Sequence, residues 1–383
     1  MKIGVLGSGT MGISIGHFTT IKDHQTIIYD SSKNALKSGE KKLSDLLKKL
    51  KNKGKYSKED IKRITSNLTF TDDIKKLKDS ELIIEAIIED INIKKEIFSK
   101  IEKLVDNKCI ITSNTSSLSI ASLASSLKEN KRFIGMHFFN PANLMPLVEI
   151  IPAIQTSQET LDRSKNILVE MGKVVVIAKD TPGFIVNRVA RPFYGEAIRI
   201  YEEGIANVET IDWATKEIGG FRMGPFELMD FIGNDINYMV TEIVFKELYF
   251  DSRYKPSFTQ KRLMEAGYLG EKSGKGFYDY NTEEIKNINK NRELGKKIVF
   301  RILSMLINEA SDALFLKIAS KEDIDLAMTK GVNYPKGLLA WADEIGIDNV
   351  LETLENLYNT YKEDRYRPSP ILRKMCSENS NFY

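Results

Sequence analysis

The chain opens with a short apolar run, residues 2–7, and then changes to helical spacing of its apolar positions through Ile13, Ile15, Gly16 and Phe18. Apolar runs of strand length return at 26–29, 82–88, 109–112, 132–139 and 147–151. Between them lie stretches of helical rhythm: a polar excursion over 33–67, a helix over 93–105, and another beginning near Ser119. Strands alternating with helices predict an α/β fold with a parallel sheet. Beyond residue 181 the pattern becomes helical, with candidates at 187–201, Val208–Glu217 and 225–250.

The helical half repeats itself. At one constant offset and without a gap, Arg188 aligns with Arg301, Glu196-Ala197 with Glu309-Ala310, and Ile211-Asp212 with Ile324-Asp325. Gly224, Asp230, Gly233 and Asp235 align with Gly337, Asp343, Gly346 and Asp348. An all-α unit is therefore duplicated, with a polar linker over 281–292. The copies differ at one chemical position, where Asn187 corresponds to Phe300. A phenyl ring has neither the donor nor the acceptor of an amide, so the second copy is expected to serve structure.

The first apolar run leads directly into Gly7-Ser-Gly9-Thr10-Met11-Gly12, and the run at 26–29 ends at Asp30. Glycines at this spacing between a strand and a helix, with an acidic residue closing the next strand, form a dinucleotide-binding pattern. Gly7 permits the tight turn, Gly9 lets the backbone approach a pyrophosphate, and Gly12 lets helix and strand pack closely. The helix start, with Thr10 and Met11 in its first turn, offers N–H groups and the positive end of a dipole. Asp30 would accept hydrogen bonds from ribose hydroxyls and repel a 2′-phosphate, so NAD is favoured over NADP.

The sequence holds three histidines. His17 falls on a helical apolar pattern and His24 in a polar turn, which leaves His137 as the acid/base candidate. It sits near the end of the 132–139 run, and Glu149 lies inside the 147–151 run, across a loop punctuated by Pro141 and Pro146. Neighbouring strands would bring the two side chains within reach, and a carboxylate beside an imidazole holds one tautomer, which suits a general base. Ser113 to Leu118 puts a hydroxyl cluster at the carboxyl end of a parallel strand, where open α/β sheets bind ligands. The same hydroxyls suit helix capping, Ser117 and Ser119 more than Ser116. The lysines of 33–67 (Lys41, Lys42, Lys48, Lys49, Lys51, Lys53, Lys55 and Lys58) form either a solvated helix face or an anion site for a phosphate-bearing substrate.

Bulk properties narrow the class. A length of 383 residues suits two or three domains, and a formal charge of +3 makes no general case for nucleic acid or membrane binding. No apolar run approaches membrane-spanning length. Cys109 and Cys376 lie far apart without ligand-like neighbours, so neither a disulfide framework nor a metal site is expected, and a reducing cytoplasm is the natural compartment. The opening Met-Lys-Ile-Gly lacks the architecture of a signal peptide.

Taken together these segments resemble the 3-hydroxyacyl-CoA dehydrogenase family: Gly7-x-Gly9-x-x-Gly12, Glu85-Ala-Ile-Ile-Glu89, Ser113-Asn-Thr-Ser-Ser, His137-Phe-Phe-Asn-Pro, Leu147-Val-Glu149 and Asp180-Thr-Pro-Gly-Phe-Ile-Val-Asn187-Arg, in that order. Met223-Gly-Pro-Phe-Glu-Leu and Gly276-Phe-Tyr-Asp-Tyr continue the resemblance to about residue 283. It implies a Rossmann-type NAD-binding domain over 1–181 and a first helical C-terminal domain over 182–283 that is the catalytic copy; the repeat adds a second over 289–383 that is expected to be structural. It also implies NAD-dependent, reversible oxidation of (S)-3-hydroxyacyl-CoA, with short chains such as 3-hydroxybutyryl-CoA. By the same resemblance His137 is the base, Glu149 orients it, Ser116 bonds the reacting oxygen, and Asn187 holds base and thioester. Asn140 contacts the nicotinamide side, Glu89 and Lys94 line the dinucleotide site, and Lys272 reaches the cofactor from the helical half. Coenzyme A would run along the lysine-rich excursion, which raises Lys48, Lys49 and Lys53 above their neighbours. Single-copy relatives pair through the helical domain, so the second copy is expected to make a pseudo-dimer within one chain, itself a monomer or a homodimer. A dehydrogenase of a small hydroxy or sugar acid, and a non-catalytic NAD-binding structural protein, are the competing readings.

Overall fold

The apolar runs of the first half become strands of one eight-stranded sheet: β1 (Lys2–Leu6), β2 (Gln25–Tyr29), β3 (Leu68–Thr71), β4 (Leu82–Glu85), β5 (Ile110–Ser113), β6 (Phe133–Phe138), β7 (Leu147–Pro152) and β8 (Val174–Ile177). Their order is β3-β2-β1-β4-β5-β6-β7-β8. β1 to β6 are parallel, β7 runs antiparallel to β6, and β8 is parallel to β7. β4, β5 and β6 are buried throughout, and Ile3, Val5, Ile28, Ile84, Ile110, Ile134 and Ile150 pack with Ile13, Ile15 and Phe18 of helix Thr10–Ile21 into one core. The continuous apolar sequence of β4 and of β6 up to His137 has this burial on both faces as its cause. β3 and β8, four residues each, are the edge strands and were not among the expected runs; Leu-Thr-Phe-Thr of β3 mixes polar with apolar positions, whereas Val-Val-Val-Ile of β8 is an apolar run that the sequence does display.

Local chemistry sets the boundaries. The run at 82–88 leaves the sheet after Glu85, and Asp90 starts the next helix, Ile91–Glu102, by accepting the Asn92 and Ile93 N–H groups at 2.9 Å each. The excursion over 33–67 folds as two helices, Lys33–Asn52 and Lys58–Ser66, the second opened by a reciprocal Ser57–Asp60 capping box. Leu36, Leu43 and Leu47 turn inward, while Lys48, Lys49 and Lys53 are exposed on the other face.

The chain divides into two compact units, Met1–Thr181 and Pro182–Tyr383, and the computed structural model describes residues 1–282 and 288–383. Residues 283–287 of the expected linker, and the expected boundary at 283, lie outside the described residues. Among the described residues no helix is long and apolar enough to cross a membrane, and no group of three His, Cys, Asp or Glu side chains could hold a metal ion.

In the second unit the helices recur in matched order. Val208–Glu217, Pro225–Ile232, Asn234–Glu247 and Phe258–Glu265 have counterparts in Lys321–Gly331, Leu338–Ile345, Ile347–Tyr361 and Pro370–Glu378. The recurring residues explain the recurrence. Asp212 accepts the Phe226 and Glu227 N–H groups at 2.9 Å each, and Asp325 accepts those of Leu339 and Ala340 at 2.9 and 3.0 Å. Asp230 takes the N–H groups of Phe277 and Tyr278, and Asp343 those of Phe382 and Tyr383, all at 2.9 Å. Gly233 and Gly346 break the same helix pair at φ 100° and 88°, a conformation that favours glycine. One expectation is corrected: 187–201 is not a single helix but Val186–Val189 followed by Arg191–Glu202. Pro192 has no N–H to continue the ladder, and its ring crowds the carbonyl one turn back. The counterpart of Pro192 is Met305, and there helix Arg292–Phe315 runs unbroken.

The copies pair reciprocally. Arg188 Nε meets Glu309 Oε1 at 2.8 Å, and Arg301 Nε meets Glu196 Oε1 at 2.7 Å. Tyr254 donates to Glu309, and Tyr366 donates to Glu196 at 2.7 Å. Residue and partner exchange copies from one cluster to the other, the contact rule of a two-fold interface.

Candidate active site

The carboxyl ends of the parallel strands gather the polar residues of the first unit. At β1, Gly7 takes φ 101°, and a methyl group there would lie 2.5 Å from the Ala86 carbonyl oxygen. One at Gly12 would lie 2.0 Å from the Gly7 oxygen, whereas one at Gly9 would meet nothing within 4 Å. Two of the glycines are therefore demanded by close packing, and Gly9 faces open space at the start of helix Thr10–Ile21. Asp30, at the end of β2, is already oriented: its Oδ2 accepts Ser8 N–H at 2.9 Å and Ser8 Oγ at 2.8 Å, and its Oδ1 accepts Ser32 N–H at 2.9 Å. An open glycine turn, a helix start and a fixed carboxylate at the second strand fit the diphosphate and ribose of NAD.

His137 and Glu149 are directly opposed across the antiparallel β6–β7 pair, and His137 Nδ1 lies 2.6 Å from Glu149 Oε2. The pair is enclosed, Glu149 at 0% and His137 at 6% exposure. The Phe139 ring lies beside the imidazole, 4.6 Å between centroids. Asn140 is exposed in the following loop and precedes a cis peptide to Pro141. That loop is pinned at Ala142, whose N–H donates to Ser14 Oγ at 2.7 Å and whose carbonyl accepts from the buried Lys173.

Ser116 lies in the turn that follows β5. Glu89 Oε1 holds this turn, accepting from Thr115 Oγ1, from Ser116 N–H at 3.1 Å and from Ser117 Oγ at 3.0 Å. Burial alone would raise the Glu89 carboxyl; the nearby Lys94 ammonium and the Thr115 hydroxyl outweigh it and leave it below its ordinary range. Lys94 is 1% exposed and bridges two carboxylates, Glu85 at 2.8 and 3.0 Å and Glu89 at 2.9 Å. Ser113 Oγ closes the network on Glu85 at 2.5 Å. Ser119 caps helix Ile120–Ala124 by accepting the Ser122 N–H, so within the hydroxyl cluster capping falls to Ser119. Asn114 spans the end of β5, donating its N–H to the Glu85 carbonyl at 2.8 Å and accepting the Phe138 N–H on its side-chain oxygen at 2.8 Å.

The first unit thus brings together the glycine turn with Thr10 and Met11, Asp30, Glu89, Lys94, Ser116, His137, Asn140 and Glu149 along one sheet edge. Asn187, half-buried in helix Val186–Val189, and Lys272, whose ammonium meets Asp235 at 2.6 and 2.7 Å, belong to the second unit. Of the other histidines, His17 is wholly buried, with Tyr56 Oη 3.1 Å from its Nε2. Sequence reasoning gave no role to Glu85 or Asn114, although both stood in quoted motifs; a carboxylate in an otherwise apolar strand was the available signal for Glu85. Lys173 carried no such signal.

The description "3-hydroxyacyl-CoA dehydrogenase, NAD binding domain" matches residues 2–181, and "3-hydroxyacyl-CoA dehydrogenase, C-terminal domain" matches 183–280 and 298–381. The chain is 34% identical to a 3-hydroxyadipyl-CoA dehydrogenase of Escherichia coli (strain K12), across 99% of this chain and 98% of that one. It is 39% identical to a 3-hydroxybutyryl-CoA dehydrogenase of Clostridioides difficile, across 73% of this chain and 100% of the relative. The crystal structure of 3-hydroxybutyryl-CoA dehydrogenase from Escherichia coli K12 superposes with a TM-score of 0.92 at 33% identity, covering 99% of this chain and 98% of that one. With both halves matched and the sheet-edge geometry in accord, the chain belongs to the 3-hydroxyacyl-CoA dehydrogenase family.

Proposed function

We propose that the chain oxidises short-chain (S)-3-hydroxyacyl-CoA to 3-oxoacyl-CoA with NAD, and catalyses the reverse reduction when the cofactor ratio inverts. The observation that carries the reading is the 2.6 Å contact between His137 Nδ1 and Glu149 Oε2 at the carboxyl edge of a dinucleotide-type sheet. With Nδ1–H donated to the carboxylate, the ring's basic lone pair is on Nε2, which takes the proton of the C3 hydroxyl as the carbonyl forms. NAD, when bound, supplies the hydride acceptor for the hydrogen on C3. In the oxidative direction Ser116 hydrogen-bonds the reacting oxygen. Gly7, Gly9, Thr10, Met11 and Gly12 cradle the pyrophosphate, Asp30 takes the ribose hydroxyls, and Asn140 the nicotinamide side. Glu89 and Lys94 shape the cofactor side of the Ser116 turn. The exposed Lys48, Lys49 and Lys53 meet the phosphates of coenzyme A.

Relatives named for 3-hydroxybutyryl-CoA and 3-hydroxyadipyl-CoA support acyl groups of this length, the second ending in a carboxylate. Acetoacetyl-CoA with NADH or NADPH, followed by nicotinamide absorbance, is the direct assay, with 3-oxoadipyl-CoA in parallel. Consumption of NADH well above NADPH is expected; turnover of free hydroxy acids without thioesters would replace this reading. The second helical copy takes the place of a partner chain, making an intrachain pseudo-dimer. The reciprocal Arg188–Glu309 and Arg301–Glu196 pairs support this, as does a relative that 73% of the chain matches over its entire length. Free cysteines at 109 and 376 suit the cytoplasm.

A further inference from the structure

A general base has to be fixed in backbone as well as in ring, and at His137 the two are held by different residues. Glu149 holds the ring from β7. On its other side β6 pairs with β5 only through Ser113↔Gly135, because β5 turns away after Ser113. β6 runs three residues further, so the sheet ladder no longer reaches the peptide that follows His137. Asn114 fills the gap: its Oδ1 accepts the Phe138 N–H at 2.8 Å, while its own N–H is fixed to the Glu85 carbonyl at 2.8 Å. The same residue begins the turn that carries Ser116, whose far side Glu89 holds. We propose that Asn114 is a positioning residue that ties the Ser116 turn to the backbone of His137 and so sets the spacing of base and hydroxyl around the substrate oxygen. This rests on His137 being the base.

The chemistry calls for an acceptor at that point. Without it the Phe138 N–H is left in a half-buried site with no bond, and the His137–Phe138 peptide is held from the β7 side alone and can shift relative to the turn. Misplacing a reacting group by about an ångström costs up to roughly a hundredfold in rate. Asn114→Ala should therefore lower kcat by about ten- to a hundredfold, with the KM for NADH within about twofold of the parent and a small loss of thermal stability. Asn114→Asp keeps an oxygen acceptor at the same reach and should recover most of the loss. Thr112→Val is the matched control: it removes a buried bond to the Ile83 carbonyl at 3.0 Å, one strand position before the turn, and should leave kcat near the parent's. The proposal is overturned if Asn114→Ala keeps kcat within about threefold, if Asn114→Asp recovers nothing, or if Thr112→Val loses as much as Asn114→Ala. His137→Gln separates the two ideas: inactive His137→Gln beside active Asn114→Ala removes only the positioning role, while an active His137→Gln removes the base itself.

Discussion

His137 and Glu149 meet because β6 and β7 are antiparallel and in register, so two side chains opposed across the ladder share one face. Their 2.6 Å contact makes the tautomer a consequence of the fold. If the ring is the base, His137→Gln lowers turnover by about two to four powers of ten while NADH binding persists, which stopped-flow turnover and fluorescence titration would separate. Glu149→Gln tests the orienting carboxylate differently. An amide donates as well as accepts, so it can hold the wrong tautomer with the geometry unchanged, and a loss of at least about a hundredfold is expected. Turnover within a few-fold of the parent would show that the buried carboxylate does not orient the ring. At this scale the sequence was readable where residue type is scarce or patterned: with three histidines, and one near a glutamate-bearing strand, the pair could be picked out. Asn114 could not be, because its role depends on where β5 leaves the sheet, and Glu85 showed only as a carboxylate in an apolar strand, its partner being a lysine buried one helix away. Composition contains neither fact.

Helix Thr10–Ile21 joins the cofactor turn to the core, and His17 lies on its buried side. The only ring-nitrogen bond found for it among the described residues is to Tyr56, and burial pushes its pKa down to about 4 from an ordinary 6.5. The unfolded chain takes up a proton there near its ordinary value, and the folded chain only near 4. Stability is therefore full above the ordinary value, falls as pH drops through the window down to about 4, and flattens below it. The total loss from this group is at most about 3 kcal/mol. Urea unfolding at pH values across that window should show this slope in the parent and a shallower one in His17→Gln; equal slopes would remove His17 as the cause. At the scale of elements, strands buried on both faces and helices with one apolar side were legible. The break at Ala190 was not, because an amphipathic rhythm continues through Pro192 although the backbone ladder cannot. The edge strand β3 was missed for a different reason, since Leu-Thr-Phe-Thr carries too little pattern, whereas Val-Val-Val-Ile of β8 was legible as an apolar run.

Duplication shapes the helical unit as a whole, since the buried Arg188 and Arg301 each find a buried glutamate on the other copy. Arg188, Glu309 and Tyr254 form one cluster and Arg301, Glu196 and Tyr366 its mirror image, each with the arginine and tyrosine from one copy and the glutamate from the other. The repeat could be aligned by eye from the chain, but the exchange of partners could not, because aligned residues say which positions correspond and not which ones touch. Removing one partner of a buried pair costs up to about 3–5 kcal/mol where the charge is left uncompensated; here Arg188 keeps Asp312 at 3.6 Å and Arg301 keeps Glu203 at 2.7 Å, which reduces the loss. Glu309→Gln and Glu196→Gln should therefore each lower the Tm, because each removes a buried carboxylate from its arginine and tyrosine on one of two corresponding clusters. A large loss in one and none in the other would deny the equivalence of the clusters. The covalent joining adds a second consequence. An interface between separate chains is stabilised by mass action, so its Tm rises with protein concentration. One closed inside a single chain should melt at a temperature independent of concentration, in the parent and in both variants, across a hundredfold dilution series on the order of that used for dimers. A Tm that climbs with concentration, or a tight dimer in sedimentation joined through the first copies, would mean that the second copy does not stand in for a partner.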